Sequence, residues 1–260
     1  MGHRMLNTVP KMLNKVPEVT LVFWTIKIMS TTVGETGADY LAVHVGLGAT
    51  VTGLLMAALL AAALLIQLSM NRYVPWIYWL TVVLVSIVGT QITDFLSDKL
   101  DISLYASTAA FSVVLATIFA VWYAVERTLS IHTIVTTRRE LFYWAAILFT
   151  FALGTAAGDL ATEALGLGFN VGVVIFAALI AAVAGAYALG VDAVLTFWIA
   201  YILTRPLGAS LGDLLSQAHE YGGFGLGAIY TSLVFLTVII ALVAWLSCEG
   251  RSYEQGRGLS

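Results

Sequence analysis

Charge is scarce in this chain: Asp, Glu, Lys and Arg make up 10% of the 260 residues, whereas 60% are hydrophobic. Soluble domains carry roughly 25% charged residues. With a mean hydropathy of +0.94, the composition excludes an ordinary soluble domain and makes lipid the expected solvent. A single cysteine, Cys248, excludes an internal disulfide, so the fold must rest on helix packing. A net charge of −3 gives a nucleic acid no basic footing. The histidines His3, His44, His132 and His219 show no ligand spacing, so no structural metal site and no cofactor are expected. Nucleotide fingerprints, nucleophile elbows and zinc-protease motifs are absent, and Gly222 to Gly227, lacking a preceding strand and a Lys-Ser/Thr pair, reads as a flexible connection. Met1 to Pro17 contains no apolar stretch before Leu21, so no cleavable signal peptide is expected.

Long apolar runs are abundant. Segments near 18–41, 47–69, 75–96, 103–126, 139–162, 169–190, 191–214 and 225–247 each approach the roughly 20 residues that cross a bilayer. The expected fold is an all-α integral membrane protein, one transmembrane domain over 1–260 with eight transmembrane helices. Nine basic residues (Arg4, Lys11, Lys15, Arg72, Arg127, Arg138, Arg139, Arg251, Arg257) fall on the side of the termini and only Lys99 on the other. The positive-inside rule then places both termini in the cytoplasm. Lys27 and Arg205 fall inside spans.

The odd spans share a register. An aromatic pair opens each: Phe23-Trp24, Tyr78-Trp79, Tyr143-Trp144 and Phe197-Trp198. Ten residues after each tryptophan stands a glycine (Gly34, Gly89, Gly154, Gly208), and fifteen after it an aspartate (Asp39, Asp94, Asp159, Asp213). Three residue types at fixed offsets in four segments mark internal repeats of two helices, near 17–70, 74–127, 139–190 and 191–247. The tryptophans read as interfacial anchors with hydrated indole N–H groups, and the glycines as sites of close helix approach.

With these features the chain resembles a family of bacterial membrane proteins of unknown function, built from four tandem repeats, each with two transmembrane regions and a marker tryptophan. Trp24, Trp79, Trp144 and Trp198 match the marker, and Glu126-Arg127-Thr128-Leu129-Ser130-Ile131-His132 with Arg138-Arg139-Glu140 resembles its central cytoplasmic loop. The resemblance implies architecture and a bacterial inner-membrane location, and carries no activity.

Steps of four residues back from each aspartate follow one helix face. The four faces read Lys27, Thr31, Glu35, Asp39; Val82, Ser86, Thr90, Asp94; Ile147, Phe151, Thr155, Asp159; and Tyr201, Arg205, Ala209, Asp213. The even spans are nearly free of polar side chains. An inner ring of odd helices, wrapped by even helices facing lipid, is the arrangement that keeps these stripes from the hydrocarbon. Glu35 and the aspartates then outnumber Lys27 and Arg205, and buried charges demand partners, protons or a bound cation. Arg205-Pro206 with Gly208 is expected to kink or break the seventh span. The leading expectation is a secondary transporter or permease that binds a cation, a divalent metal or a proton-coupled solute, at Lys27, Thr31, Glu35, Asp39, Thr90, Asp94, Thr155, Asp159, Arg205 and Asp213, with Glu35 and Asp39 as candidate hard-metal ligands. The opposite polarity, an anion held by Lys27 and Arg205, stays open. So do an intramembrane enzyme acting on a lipid-soluble substrate and a scaffold or sensor whose basic loop, Arg127 to Arg139, meets a cytoplasmic partner or anionic lipid.

Overall fold

The computed structural model describes residues 14–44 and 49–257, with side chains described for 14–38, 40 and 50–249. Among the described residues eight long helices follow one another: α1 (Leu21–His44), α2 (Ala49–Ser69), α3 (Pro75–Asp94), α4 (Leu104–Glu126), α5 (Thr137–Asp159), α6 (Gly168–Ala188), α7 (Ala193–Ser216) and α8 (Ala228–Arg257). Their starts carry local signals. Pro75 occupies the first turn of α3, where its missing N–H costs no hydrogen bond. Asp192 accepts from the backbone N–H of Val194 and Leu195 ahead of α7, and Thr136 accepts from that of Arg139 ahead of α5. Helices α3 and α5 each run on, directly after their marker aspartate, into a single π-helical turn (Phe95–Lys99 and Leu160–Ala164).

Among the described residues, seven of these helices are long and apolar enough to cross a membrane. The exception is α1, a 24-residue helix that carries Lys27, Glu35 and Asp39. Lys27 and Glu35 do not face outward: both are buried, with Ser30, Thr31, Thr32 and Thr36.

Packing follows a rule that shifts by one repeat. Helix α1 packs on α3, α3 on α5, α5 on α7, and α7 on α1. Each even helix packs mainly on the odd helix of the following repeat, α2 on α3, α4 on α5 and α6 on α7, and α8 completes the series on α1. Burial divides the two sets: 67% of the apolar window of α5 is buried, and 11% of that of α6.

Two recurring contacts make the odd-helix joints. The first ring of each aromatic pair lies against the tryptophan of the next repeat: Phe23 on Trp79 at 5.6 Å, Tyr78 on Trp144 at 5.5 Å, Tyr143 on Trp198 at 6.2 Å, and Phe197 on Trp24 at 5.6 Å. The marker glycines make the second joint. Gly34 receives Ser86, Gly89 receives Phe151, Gly154 receives Arg205, and Gly208 receives Thr31, each so closely that a Cβ at the glycine would collide with the incoming side chain.

Two expectations are corrected here. Trp79, Trp144 and Trp198 are buried rather than hydrated at a boundary, because each is covered by an aromatic ring of the preceding repeat. The Trp79 indole N–H donates to the Tyr73 hydroxyl and that of Trp198 to the Leu129 carbonyl. Of the kink or break expected in the seventh span, the break does not form: α7 continues through Pro206. The proline ring faces Gly158 of α5, where a Cβ would stand 3.4 Å from Pro206 Cβ, so the neighbouring helix leaves room for it and packing holds the segment despite the lost backbone bond.

Candidate functional site

Four odd helices with a common register present their stripe residues as levels. The level one turn before the aspartates holds Glu35, Thr90, Thr155 and Ala209; the next holds Thr31, Ser86, Phe151 and Arg205; the third holds Lys27, Val82, Ile147 and Tyr201. All twelve are buried.

Arg205 links these helices. Its side chain, fully buried, leaves α7 past Gly154 and its guanidinium reaches the level of Glu35. Nη1 donates to the Thr31 carbonyl at 3.0 Å, and Nη2 lies within hydrogen-bonding distance of Glu35 Oε2 at 2.7 Å, of Thr155 Oγ1 at 2.8 Å and of Thr90 Oγ1. One residue of α7 is thus bonded to α1, α3 and α5. Of the residues singled out from the sequence, Thr31, Glu35, Thr90, Thr155 and Arg205 are brought into one network. The Thr31 hydroxyl itself donates across to the Thr204 carbonyl of α7 at 3.2 Å.

Lys27 stands apart from that network. Its ammonium lies 4.0 Å from the centroid of the Phe151 ring and 4.3 Å from that of Tyr201, and among the described residues Nζ has no hydrogen-bond partner. Aromatic faces stabilise a cation, more so when it is desolvated. The Arg205 guanidinium sits on the same Phe151 ring at 5.8 Å, so two cations share one ring and only Arg205 holds a carboxylate.

The aspartates lie a turn beyond Glu35. Asp213 is buried and Asp94 and Asp159 are half-buried. Asp159 is within electrostatic reach of Glu35, Asp94, Glu163 and Arg205, and Glu163 within reach of Glu35 and Asp98. Glu163 was not singled out because the stripe was followed only backward from Asp159; it stands four residues beyond that aspartate, in the π-turn. The side chain of Asp39 lies outside the described residues. Among the described residues no three His, Cys, Asp or Glu side chains gather as a metal site, and Glu35, one of the two candidate hard-metal ligands, is engaged by Arg205.

At the opposite end, beyond the aromatic layer, a second buried ion pair was not anticipated. Lys15 Nζ donates to Glu140 Oε2 at 2.7 Å and to the Leu68 carbonyl at 3.1 Å, while Gln67 Nε2 donates to Glu140 Oε1 at 3.0 Å. Its signal in the sequence was Gln67, an amide near the end of an otherwise apolar span. Below it the Tyr78 and Tyr143 hydroxyls meet at 2.5 Å. In the adjoining loop Arg138 and Arg139 both bond Glu126, at 2.5 and 2.6 Å, so part of that loop's positive charge is neutralised internally.

A family model described as Repeat of Unknown Function (DUF347) matches four stretches, residues 22–73, 77–128, 142–189 and 196–252. The chain belongs to that family, with four tandem repeats. Neither the curated proteins nor the solved structures contain a match.

Proposed function

We propose that this chain is a multi-pass membrane transporter or permease for a cation, with α1, α3, α5 and α7 as an inner ring, the even helices facing lipid, and both termini in the cytoplasm of a bacterial inner membrane. The observation that carries the reading is the polar axis through the buried helices: Glu35, Thr90 and Thr155 converge on Arg205 from three helices, and a turn beyond them lie Asp94, Asp159 and Asp213. Intramembrane charges that are costly to bury mark ion and substrate pathways. Internal repeats that enclose such charges near the middle of the bundle are a recurring transporter plan. In this reading the aspartates, with Asp39 as the fourth, gather a cation at one mouth, Glu35 with its threonines is the inner site, and Lys27 with Arg205 sets its charge balance. The aromatic layer and the Lys15–Glu140 pair close the opposite end.

The test is a panel of ion fluxes with purified protein in liposomes. Glu35→Gln keeps the shape and most of the hydrogen bonding while removing the charge, and should abolish cation-dependent flux in a protein that still extracts and purifies like wild type. A panel with no flux for the wild-type protein, or undiminished flux for Glu35→Gln, overturns the reading. The network would then be packing, and a scaffold would describe the chain better.

A further inference from the structure

The Arg205 Nη2 atom has two hydrogens, but three oxygens converge on it: Glu35 Oε2, Thr155 Oγ1 and Thr90 Oγ1. Each threonine hydroxyl has a backbone carbonyl of its own helix to donate to, which leaves its oxygen as an acceptor toward this point. Thr90 Oγ1 donates to the Ser86 carbonyl at 3.2 Å and Thr155 Oγ1 to the Phe151 carbonyl at 3.0 Å, each one turn back on its own helix. Three acceptors from three helices therefore face a single position, and a guanidinium nitrogen can satisfy only two of them. A spherical ion or an ammonium with three N–H groups satisfies all three. The three oxygens occupy the same register position in repeats one, two and three, so the convergence follows from the repeat architecture and not from the reach of one side chain.

We propose that this position is a binding site for a compact monovalent cation, an alkali ion or a primary ammonium group, and that the Arg205 guanidinium is a tethered occupant the cation displaces. The proposal rests on the transport reading above and deepens it by naming the ligand class and the competitor. The valence follows from the charge at the site. Glu35 is the one carboxylate among the three ligands, which balances a single positive charge, and the displaced Arg205 guanidinium, still close by, opposes a second. Asp159, already within electrostatic reach of Arg205, is the carboxylate toward which the displaced guanidinium turns. Entry from the aspartate end then exchanges one positive charge for another beside Glu35, while the tethered guanidinium keeps its own charge and takes Asp159 as counter-ion; the complex gains the charge of the bound ion.

Purified protein is titrated with sodium, potassium, ammonium, methylammonium, magnesium and manganese chlorides at fixed ionic strength, following the thermal unfolding midpoint. Arg205→Met removes the competitor and should lower the half-saturating concentration of at least one monovalent ion tenfold or more against wild type, with no saturable response to the divalent ions. An unchanged half-saturating concentration, no response to monovalent ions, or a saturable response only to the divalent ones overturns the proposal. Arg205→Met also loses bonds to three helices, so a measurement on the wild-type protein stands beside it. Phenylglyoxal modification of Arg205, read by mass spectrometry, should rise as a stabilising monovalent ion is added, and indifference to the ion overturns the proposal whether or not the variant folds. Wild-type flux of a cation without these Arg205 effects sinks this inference alone, whereas absence of flux sinks the transport reading.

Discussion

A methyl group at Gly89 has nowhere to go. It would stand 2.7 Å from Phe151 Cβ and 3.3 Å from the Ala152 backbone nitrogen, atoms that cannot rotate away without moving α5. Overpacking of this kind costs about 1–3 kcal/mol. Gly53 on α2 offers the comparison, since among the described residues a Cβ there meets nothing within 4 Å, and alanine in an open helical position is favoured over glycine by about 1 kcal/mol. Gly89→Ala should therefore lower the thermal midpoint in detergent and Gly53→Ala should leave it equal or raise it; the same shift for both would deny the close joint. The recurrence of Gly34, Gly89, Gly154 and Gly208 was legible in the sequence, and so was the need for close approach. Their partners were not. Ser86, Phe151, Arg205 and Thr31 share a register but no chemistry, so the receiving glycine recurs in the sequence while what it receives does not. Lys27 was illegible for a similar reason: its charge called for a carboxylate, and the rings it found, Phe151 and Tyr201, stand on two other helices.

At the scale of helices, the shift by one repeat explains why four two-helix units make one body. A pair such as α1 and α2 barely touches itself, and its even member serves the next odd helix. Isolated, a repeat would leave the buried faces of both helices uncovered, as in other repeat architectures whose units lean on neighbours. The aromatic pairs were legible as a marker yet misread as anchors at water. The ring that covers each tryptophan lies in another repeat, and an offset within one segment carries no information about that contact. The chain-closing contact, α8 on α1, can be tested directly. The Thr36 and Ser232 hydroxyls lie 2.7 Å apart, close enough for a disulfide if the helices do pack there. With Cys248→Ser removing the native thiol, Thr36→Cys combined with Ser232→Cys should oxidise to an intramolecular link. Cleavage between α4 and α5 should then leave the two halves joined on a non-reducing gel and separated on a reducing one. Halves that separate under both conditions would exclude the α8–α1 contact.

Across the whole molecule, symmetry and its breaking meet at one seam. Glu35 belongs to the first repeat and Arg205 to the fourth, and their helices are the pair that closes the series from α7 back to α1. The repeat supplies threonines on the other two helices, and the seam supplies the charge. Direction in the membrane follows from charges further out. Fifteen residues separate each tryptophan from its aspartate, about 22 Å at 1.5 Å per residue, so the aromatic and acidic levels lie toward opposite faces of a hydrocarbon core near 30 Å thick. Among the described residues Lys15, Arg72, Arg127, Arg138 and Arg139 fall on the aromatic side and Lys99 on the acidic side, and the proposed cytoplasmic placing of the aromatic side rests on that asymmetry. Ser103, between α3 and α4, and His132, between α4 and α5, are exposed at the two ends. With Cys248→Ser as background, Ser103→Cys should react with a membrane-impermeant maleimide in intact spheroplasts, and His132→Cys only after permeabilisation. The reverse pattern would put the acidic mouth in the cytoplasm and turn the cation entry around; labelling of both from one side would mean that α4 does not cross the bilayer, and the axial pathway would lose its membrane.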